Sequence, residues 1–285
     1  FELRFSRELG HILDVSKAGT LMIKGPVYHN FWRATIDNDY LYIIRDMFKF
    51  LDNKWLGTRW KRAMEKNTLK ACDVSVQGQQ VNILTKHKMP GIKGTIDTEY
   101  KIYENGYIHI KSTIIPKHDL IRFGQSMLFN KELSQVAWCG RGPHENYIDR
   151  CSSAYYGIYE LPVSDMTHYY LRPQENGNRT GIKWLELKQS KALGNNMSMR
   201  FQNGEGELNA SVWPYTIQDL EKATHIHELK ATIEDHEDEM QTYYQINIDA
   251  GQRGVGGDIP AIAMLKESYK MKKNQPYQLD YWIQI

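Results

Sequence analysis

VAWCGRGPHENYIDR, the stretch from Val136 to Arg150, opens as an apolar run and ends in a cluster of hydrogen-bonding side chains. The apolar run predicts a strand that turns at Gly140 to Pro143. Pro143 restricts its own φ and favours an extended Gly142, so the directions of the side chains that follow are set. Those side chains, all within seven positions, are His144, Glu145, Asn146, Tyr147, Asp149 and Arg150.

The overall charge of the chain argues against nucleic acid as a partner. The net charge is +2 over 285 residues, whereas nucleic-acid-binding proteins usually carry a concentrated basic excess. The densest basic stretch, Lys54 to Lys70, is interrupted by Glu65 and by apolar residues, which indicates a solvated surface. We therefore expect no nucleic-acid partner.

Cysteine usage and hydropathy bear on the cellular compartment. The three cysteines, Cys72, Cys139 and Cys151, have no C-x-x-C spacing, which argues against a disulfide framework and against a zinc site. A reducing compartment fits best, and we expect the chain to be cytoplasmic. No apolar run approaches the roughly 20 residues that a membrane span needs, so no membrane association is expected. Phe1 stands where an initiator Met is usual and lies inside an apolar-polar alternation, so the chain is interpreted as part of a longer polypeptide.

Much of the chain alternates apolar and polar residues with the period of two that indicates β-strands. The alternation runs through Val74 to Thr85, Thr95 to Ile114 and Tyr277 to Ile285. Asn105-Gly106 and Asn203-Gly204 are hairpin-turn signals within this pattern. Together these features predict an all-β fold of antiparallel meanders.

Two stretches have the spacing of helices. Tyr40 to Glu65 places apolar residues three and four apart, and Ile217 to Leu229 follows Thr216, with Asp219 as a capping-box acid. His225 and His227 are two residues apart on the second predicted helix, so they point to different sides and make a poor metal pair. We expect no metal and no cofactor in this chain.

The glycine-rich GVGGD segment, Gly254 to Asp258, does not predict a nucleotide site. Glycine-rich loops hold phosphates where a helix N-terminus follows, and here Pro260 and a mixed apolar run follow.

Polar loops recur along the chain, and their residues form a candidate structural network. FWRATIDND (Phe31 to Asp39) and YLRPQENGNRTG (Tyr170 to Gly181) mix cations, carboxylates and amides around apolar anchors. Buried carboxylates need guanidinium or amide partners, so the second loop is a candidate to pair with Glu145 and Arg150 across space. The predicted network comprises Arg33, Asn38, Asp39, Glu145, Asn146, Arg150, Arg172, Glu175 and Asn176.

Four of these stretches, in order, carry a resemblance to a known family. GRGPHENYIDR is similar to the G-x-G-P-x-E-N-Y-x-D-R signature in the C-terminal domain of glycoside hydrolase family 2 β-galactosidases, also called the small chain or domain 5. FWRATIDND, YLRPQENGNRTG and GVGGD match further stretches of that domain. The resemblance covers nearly the whole chain and implies one sandwich domain, residues 1–285.

The resemblance also implies a fold and a role. It implies a large antiparallel β-sandwich, the supersandwich of galactose mutarotase-like proteins, with one or two short helices. In the family a separate barrel carries both catalytic glutamates, so this chain is expected to contain no catalytic residue. The implied partners are the catalytic domain or large chain, a galactoside of the lactose type and further copies in an oligomeric enzyme.

The best candidates for sugar proximity are Arg253, Asp258 and Ile259. The resemblance places them at the mouth of the active site, where many family members have a Trp a few residues beyond GGD. This sequence departs from that pattern, because Asp258 is followed by Ile259 and Pro260. Asp258 is expected either to accept hydrogen bonds from sugar hydroxyls or to close the loop by accepting them from backbone N–H groups.

Two other functions remain open from the sequence. One is a free-standing carbohydrate-binding module that grips a glycan through exposed aromatic side chains. The other is an aldose 1-epimerase-like protein, which needs a His/Glu pair converging in a cleft, and His144 with Glu145 is the nearest candidate.

Overall fold

The structure, a computed structural model, describes residues 1–39, 53–190, 197–230, 243–256 and 265–285, with the side chains of α1 described from residue 59. Strands dominate it. In chain order they are β1 (Glu2–Ser6), β2 (His11–Lys17), β3 (Thr20–Asn30), β4 (Thr68–Gln77), β5 (Gln80–Met89), β6 (Gly94–Tyr103), β7 (Tyr107–Ile114), β8 (Arg122–Asn130), β9 (Gln135–Gly142), β10 (Tyr155–Pro162), β11 (Arg179–Ile182), β12 (Trp184–Lys188), β13 (Ser198–Asn203), β14 (Leu208–Trp213), β15 (Tyr243–Gln252) and β16 (Tyr277–Gln284). The α-helices with defined bounds are α1 (Asn53–Glu65) and α2 (Ile217–Lys222), residues 37–39 and 226–230 are also helical, and short 3-10 turns lie at Val163–Met166 and Glu267–Tyr269.

Two antiparallel sheets form the fold, which confirms the predicted all-β sandwich. The seven-stranded sheet has the order β1-β2-β3-β8-β15-β14-β11, and the nine-stranded sheet has the order β10-β9-β12-β13-β16-β7-β6-β5-β4. Their inner faces share one hydrophobic core that includes Trp138, Trp213, Phe123 and Phe201, all fully buried. Each such side chain contributes roughly 1.5–3 kcal/mol on burial.

The predicted meander is the run β4 to β7. Asn105-Gly106 forms the β6–β7 hairpin with Gly106 at φ +87°, a conformation that glycine adopts without steric cost. The alternation along β5 buries Ile83, Thr85, His87 and Met89 on the inner face and exposes Leu84, Lys86 and Lys88 between them. The local pattern therefore predicted these strands.

The hairpin predicted at Asn203-Gly204 is wrong. β13 pairs with β12 and β16 in the nine-stranded sheet, whereas β14 pairs with β11 and β15 in the other sheet. The connection crosses between the sheets, and the Gly204 N–H donates to the Asp280 carbonyl, 3.0 Å away, in β16. A turn signal identifies a reversal of the chain but not the sheet that receives the next strand.

Of the two predicted helices, the one from Ile217 to Leu229 is interrupted in the structure. Thr216 and Asp219 form the predicted capping box at the start of α2, but α2 ends at Lys222 because Ala223 is extended. Thr224 then donates from its N–H to Glu228 at 2.7 Å, and a second helical segment covers residues 226–230. Of the predicted helix from Tyr40 to Glu65, residues 40–52 lie outside the described ranges, and α1 covers the remainder.

Three histidines lie between the sheets, and among the described residues no carboxylate is hydrogen-bonded to them. His11 and His29 project from β2 and β3, and His87 faces them from β5, with ring centroids 4.6 to 5.6 Å apart. His87 Nε2 lies 2.8 Å from the Leu9 carbonyl, and His29 Nε2 lies 3.3 Å from the Thr98 hydroxyl. Both His11 nitrogens are buried with no partner. This cluster places titratable groups inside the core.

No helix in the described parts of the chain is long and apolar enough to cross a membrane. Cys72, Cys139 and Cys151 are free thiols.

Candidate functional site

The two glycines of the GRGP segment make room for neighbouring side chains, aromatic rings at Gly142 and Ile182 at Gly140. β9 continues through Gly142, so the turn predicted at Gly140 starts later. A Cβ on Gly142 would lie 2.9 Å from both the Trp138 and Tyr159 rings, and one on Gly140 would lie 2.7 Å from Ile182 Cδ1. Because real Cβ atoms do not approach so closely, these positions require glycine for packing. Trp138 and Tyr159 fill the space, with ring centroids 5.3 Å apart.

Glu145 joins its own loop to the loop that precedes β11. Its carboxylate accepts from Arg150 at 2.5 Å, from the Tyr170 hydroxyl, and from the Gly177 N–H at 2.7 Å. Arg150 also donates to the Tyr170 hydroxyl at 3.1 Å. These contacts occupy both carboxylate oxygens. His144, which is exposed, lies 3.1 Å from the Ser153 hydroxyl instead.

Asn146 is fully buried and joins the same two loops through its backbone and side chain. Its N–H donates to the Asn178 carbonyl at 2.7 Å, and its side-chain oxygen accepts from both the N–H and the hydroxyl of Thr180, at 3.0 and 2.6 Å. The Asn178 side-chain amide donates a hydrogen bond to the Asn146 carbonyl at 2.8 Å. The loop after β9 is therefore held in register against the start of β11.

Asp149 and the FWRATIDND loop hold the segment Arg253–Gly256 from two sides. Asp149 accepts from the Val255 N–H at 3.0 Å and from the Gly256 N–H at 2.7 Å. A Cβ on Gly254 would lie 2.6 Å from the Asp149 Cγ atom, so this approach requires glycine.

On the other side of the same segment, Arg33 and Asn38 donate hydrogen bonds to its backbone carbonyls. Arg33 donates to the Arg253 carbonyl at 2.6 Å and to the Gly254 carbonyl at 3.2 Å, and Asn38 donates to the Val255 carbonyl at 2.7 Å. Asp39 orients the Arg33 guanidinium through bonds of 3.1 and 3.3 Å. We call these four side chains, Arg33, Asn38, Asp39 and Asp149, the clamp.

The clamp defines how the chain enters the predicted sugar-proximal loop. Arg253 is half-buried, and its N–H donates to the Ile121 carbonyl at 2.9 Å while its own carbonyl receives Arg33. The Arg253 side chain lines a cavity of about 380 Å³ together with Asp119 and Lys270. Asp258 and Ile259 lie outside the described residues. The described part of this loop is the segment from Arg253 to Gly256, which we call the loop base. Its backbone N–H and C=O groups are hydrogen-bonded on both sides.

A fully buried ion network lies behind the clamp. Arg122 donates to both oxygens of Asp249, at 2.8 and 2.7 Å, and lies 3.5 Å from Glu175. Gln252 bridges Glu175 and Asp249 at 3.2 and 3.4 Å. Burial raises the pKa of Glu175 and of Asp249, and Arg122 opposes the rise in both. Glu175 is thus paired with Arg122, whereas Glu145 is paired with Arg150.

The remaining network residues anchor the ends of the Tyr170 to Gly181 loop. Arg172 donates to Asp37 at 2.9 Å and to the Thr35 carbonyl at 3.2 Å. Asn176 donates to the Tyr215 hydroxyl at 3.0 Å, and its carbonyl accepts from the Trp213 indole at 3.0 Å. These contacts tie the loop to the FWRATIDND loop and to the end of β14.

The predicted network left out several residues that make these contacts, four of which bind the 253–256 segment or the buried ions. Asp149 was noted only as one of the hydrogen-bonding side chains of the GRGPHENYIDR segment. Arg122 and Asp249 are charged residues within otherwise apolar strands, which marks them as paired if buried. The fourth is Gln252.

Comparison with known proteins places the chain in a family. The family model described as "Beta galactosidase small chain" matches residues 1–283. A β-galactosidase of Halalkalibacterium halodurans is 27% identical over 284 residues, covering 96% of this chain and 26% of that protein. A β-galactosidase of Lactobacillus delbrueckii subsp. bulgaricus is 29% identical over 266 residues, covering 90% and 24%. The chain thus spans about a quarter of the length of the curated relatives it matches.

Among solved structures, a galactose mutarotase related enzyme from Lactobacillus acidophilus aligns over 99% of this chain and 93% of its own, with 11% identity and a TM-score of 0.48. That likeness is too distant to bear on function. The family match over nearly the full length, together with the β-galactosidase relatives, identifies the chain as a member of the β-galactosidase small chain family.

Proposed function

We propose that this chain is a non-catalytic part of a β-galactosidase, which packs on the catalytic part and completes the galactoside-binding site. Its substrate class is terminal β-D-galactosides of the lactose type, and its catabolic role is release of galactose. The proposal rests on family membership and on the clamp, which holds the base of the loop that carries Asp258 and Ile259.

The contacts of the Glu145 and Glu175 carboxylates favour a non-catalytic role for this chain. A retaining glycosidase needs two carboxyl groups about 5 Å apart, flanking the scissile bond. Glu145 is bound by Arg150, Tyr170 and Gly177, and Glu175 is fully buried against Arg122. In this proposal the catalytic pair belongs to the rest of the enzyme.

The surface near the clamp supports a protein partner. Ile148, Tyr169 and Leu171 project from the same loops as the clamp and network residues, and all three are exposed; Leu171 is 87% exposed. Exposed apolar side chains grouped beside a functional loop mark interaction surfaces. The proposed occupant is the catalytic part, which would bury these side chains and bring the Arg253 to Ile259 segment to its active site.

The clamp would act by positioning. In the proposal Asp258 accepts hydrogen bonds from sugar hydroxyls, and Ile259 provides apolar contact in place of an aromatic face. A polar contact of this kind aids catalysis only when its geometry is held, since a displacement of about 1 Å can cost about 100-fold in rate. Asp149 is therefore a positioning residue for the loop.

Replacing Asp149 with Ala is expected to reduce kcat/KM for a chromogenic β-galactoside by about 10- to 100-fold in the assembled enzyme. The reason is that the Val255 and Gly256 N–H groups lose their acceptor and the loop base moves. Asp149→Asn keeps one side-chain acceptor and should retain more activity than Asp149→Ala.

Steady-state kinetics of the assembled enzyme measures this effect, with association of the two parts and thermal unfolding measured in parallel. Asp97→Ala, which removes an exposed acid in β6, is the matched control and should leave kcat/KM unchanged. Unaltered kinetics in a folded, assembled Asp149→Ala enzyme would refute the positioning role.

A further inference from the structure

The end of the hairpin that joins β1 to β2, residues 5–13, packs against the nine-stranded sheet. We call residues 5–13 the hairpin tip. β2 pairs in register with β3 from Asp14 to Lys17, so the tip lies beyond that register. The Phe5 ring meets the Tyr100 ring of β6 edge-on, with ring centroids 5.3 Å apart, and the Tyr100 hydroxyl lies 3.5 Å from the Gly10 carbonyl. The position of the tip thus depends on contacts with the opposite sheet.

Two histidines join the hairpin tip to β5. The His11 ring stacks on the His87 ring, with ring centroids 4.6 Å apart and an interplanar angle of 9°, and His87 Nε2 lies 2.8 Å from the Leu9 carbonyl. A Cβ on Gly10 would lie 2.7 Å from His87 Cε1, so the backbone of the tip approaches His87 as closely as glycine permits. We call the ring stack and the hydrogen bond to Leu9 the latch.

The latch requires both histidine rings to be neutral. A carbonyl only accepts hydrogen bonds, so His87 carries its proton on Nε2, and its Nδ1 is buried with no partner among the described residues. Both nitrogens of His11 are also buried without a described partner. Protonation of His11 would place a charge in the core, and protonation of both rings would set two cations at stacking distance. Burial, and then the nearby His87, accordingly lower the pKa of His11 to about 3.

The described surroundings of the latch supply no negative charge. Arg7 and Glu8, the charged residues of the hairpin tip, are exposed to solvent. No carboxylate contributes to the pKa shifts of the histidines between the sheets. A proton taken up by the latch therefore meets no counter-charge in the core. The titratable and polar side chains that the packed elements bring to this part of the core include His29 of β3, Cys72 of β4, Thr85 of β5, Thr98 and Tyr100 of β6, Ser112 of β7, Gln125 of β8 and Tyr281 of β16.

We propose that the latch is a pH-sensitive switch, which releases the hairpin tip from the nine-stranded sheet when the solution becomes acidic. β1 forms one end of the seven-stranded sheet, so the tip can leave without separating any other pair of strands. Release moves His11 into water and opens the buried face of His87. This inference goes beyond the proposed function, because no residue of the tip belongs to the clamp or to the loop base.

The direction of the switch follows from the protons that each form binds. In the released tip His11 is in water, where the pKa of a histidine is about 6.5. Below that pH the released form binds a proton that the latched form does not, so the opening constant rises as the pH falls, by about tenfold per unit. Between pH 7.5 and 5.0, His11 alone should raise the opening constant by about 30-fold.

Hydrogen exchange of the 285-residue chain, followed by mass spectrometry between pH 7.5 and 5.0, tests the switch. Exchange rates are corrected for the pH dependence of intrinsic amide exchange. A two-stranded hairpin without further packing is at best marginally stable in water, so the amides of a released tip exchange. We expect residues 5–13 to lose about 30-fold in protection, while β7 and β16, inside the nine-stranded sheet, keep theirs.

Two variants separate the switch from general weakening of the tip. His11→Leu keeps an apolar side chain in the core and should abolish the pH response of residues 5–13. Phe5→Ala, the matched control, removes an uncharged contact of the same tip, so it should raise opening by one factor at every pH and keep the about 30-fold response. The wild-type comparison of the tip with β7 needs no variant. Tip protection that is independent of pH, an acid loss spread evenly over both sheets, or a full pH response in His11→Leu would overturn the proposal.

Discussion

Replacing Arg122 with Met is expected to lower the free energy of unfolding by about 3–5 kcal/mol, the cost of breaking a buried ion pair on one side. Arg122 is fully buried and binds both oxygens of Asp249, with Glu175 3.5 Å away. The methionine would fill a similar volume but would leave two carboxylates without a cation. The loss should therefore come from uncompensated charge, with little contribution from lost packing.

Urea unfolding at pH 7 measures this loss. Arg4→Met, which removes the guanidinium of an exposed pair with Asp14, is the matched control and should cost less than about 1 kcal/mol. Adding Asp249→Asn to the Arg122→Met variant should recover part of the stability, because one stranded charge is removed. A loss below about 1 kcal/mol for Arg122→Met would mean that Asp249 and Glu175 are neutral in the fold, contrary to this account.

Lowering the pH from 7.5 to 5.0 is expected to weaken the fold through the three histidines between the sheets, with His11 alone costing about 2 kcal/mol. Burial, and the nearby His87, lower the pKa of His11 to about 3. Burial, then His11 and His87, hold the pKa of His29 well below its ordinary value of 6.5. Burial also lowers the pKa of His87, against the opposing bond to the Leu9 carbonyl.

The direction of the pH effect follows from proton counts. Between pH 6.5 and the lowered pKa of the folded state, the unfolded chain binds more protons, so stability falls as the pH falls. The histidine contribution is complete above about pH 6.5 and declines by at most about 1.4 kcal/mol per pH unit for each residue. Among the described residues, the polar groups beside the cluster include the Thr98 and Ser112 hydroxyls and Tyr100, none of which supplies a compensating negative charge.

Unfolding free energies of the wild type and of His11→Leu at a series of pH values isolate this effect. Asp249 and Glu175, whose pKa values are raised by burial, act in the opposite sense in both proteins and cancel in the comparison. His11→Leu should lose about 2 kcal/mol less than the wild type between pH 7.5 and 5.0. His227→Leu, at an exposed position, controls for the change of residue type. Parallel pH profiles for wild type and His11→Leu would contradict the neutral histidine cluster.

Local sequence signals predicted much of the fold. Asn105-Gly106 specifies a tight turn between two alternating strands, and the capping box at Thr216 and Asp219 specifies a helix start; both depend on neighbours in sequence. Asn203-Gly204 carries the same kind of signal, yet the chain there passes from one sheet to the other. Sheet membership depends on which distant strand offers a free edge, and a local turn signal does not encode that.

The sequence also predicted the candidate site only in part. The GRGPHENYIDR and FWRATIDND segments pointed to the loops that meet, and Arg33, Asn38 and Glu145 lie there. The partners were not predictable, because Asp149 binds Val255 and Arg122 binds Asp249 across more than 100 residues of chain. The glycines of GRGP suggested a turn, whereas Gly142 accommodates the Trp138 and Tyr159 rings and Gly140 the Ile182 side chain; Tyr159 and Ile182 come from other strands, which only the assembled sheets bring close.

The most direct test of the central claim is hydrolysis of a chromogenic β-galactoside by this chain alone and after mixing with the catalytic part of the same β-galactosidase. The account predicts no turnover by the chain alone, little by the catalytic part alone, and full turnover by the mixture, with Asp258 and Ile259 as the next positions to vary. Turnover by the isolated chain would contradict the account and would direct the search for a catalytic carboxylate pair to Glu145 and Glu175.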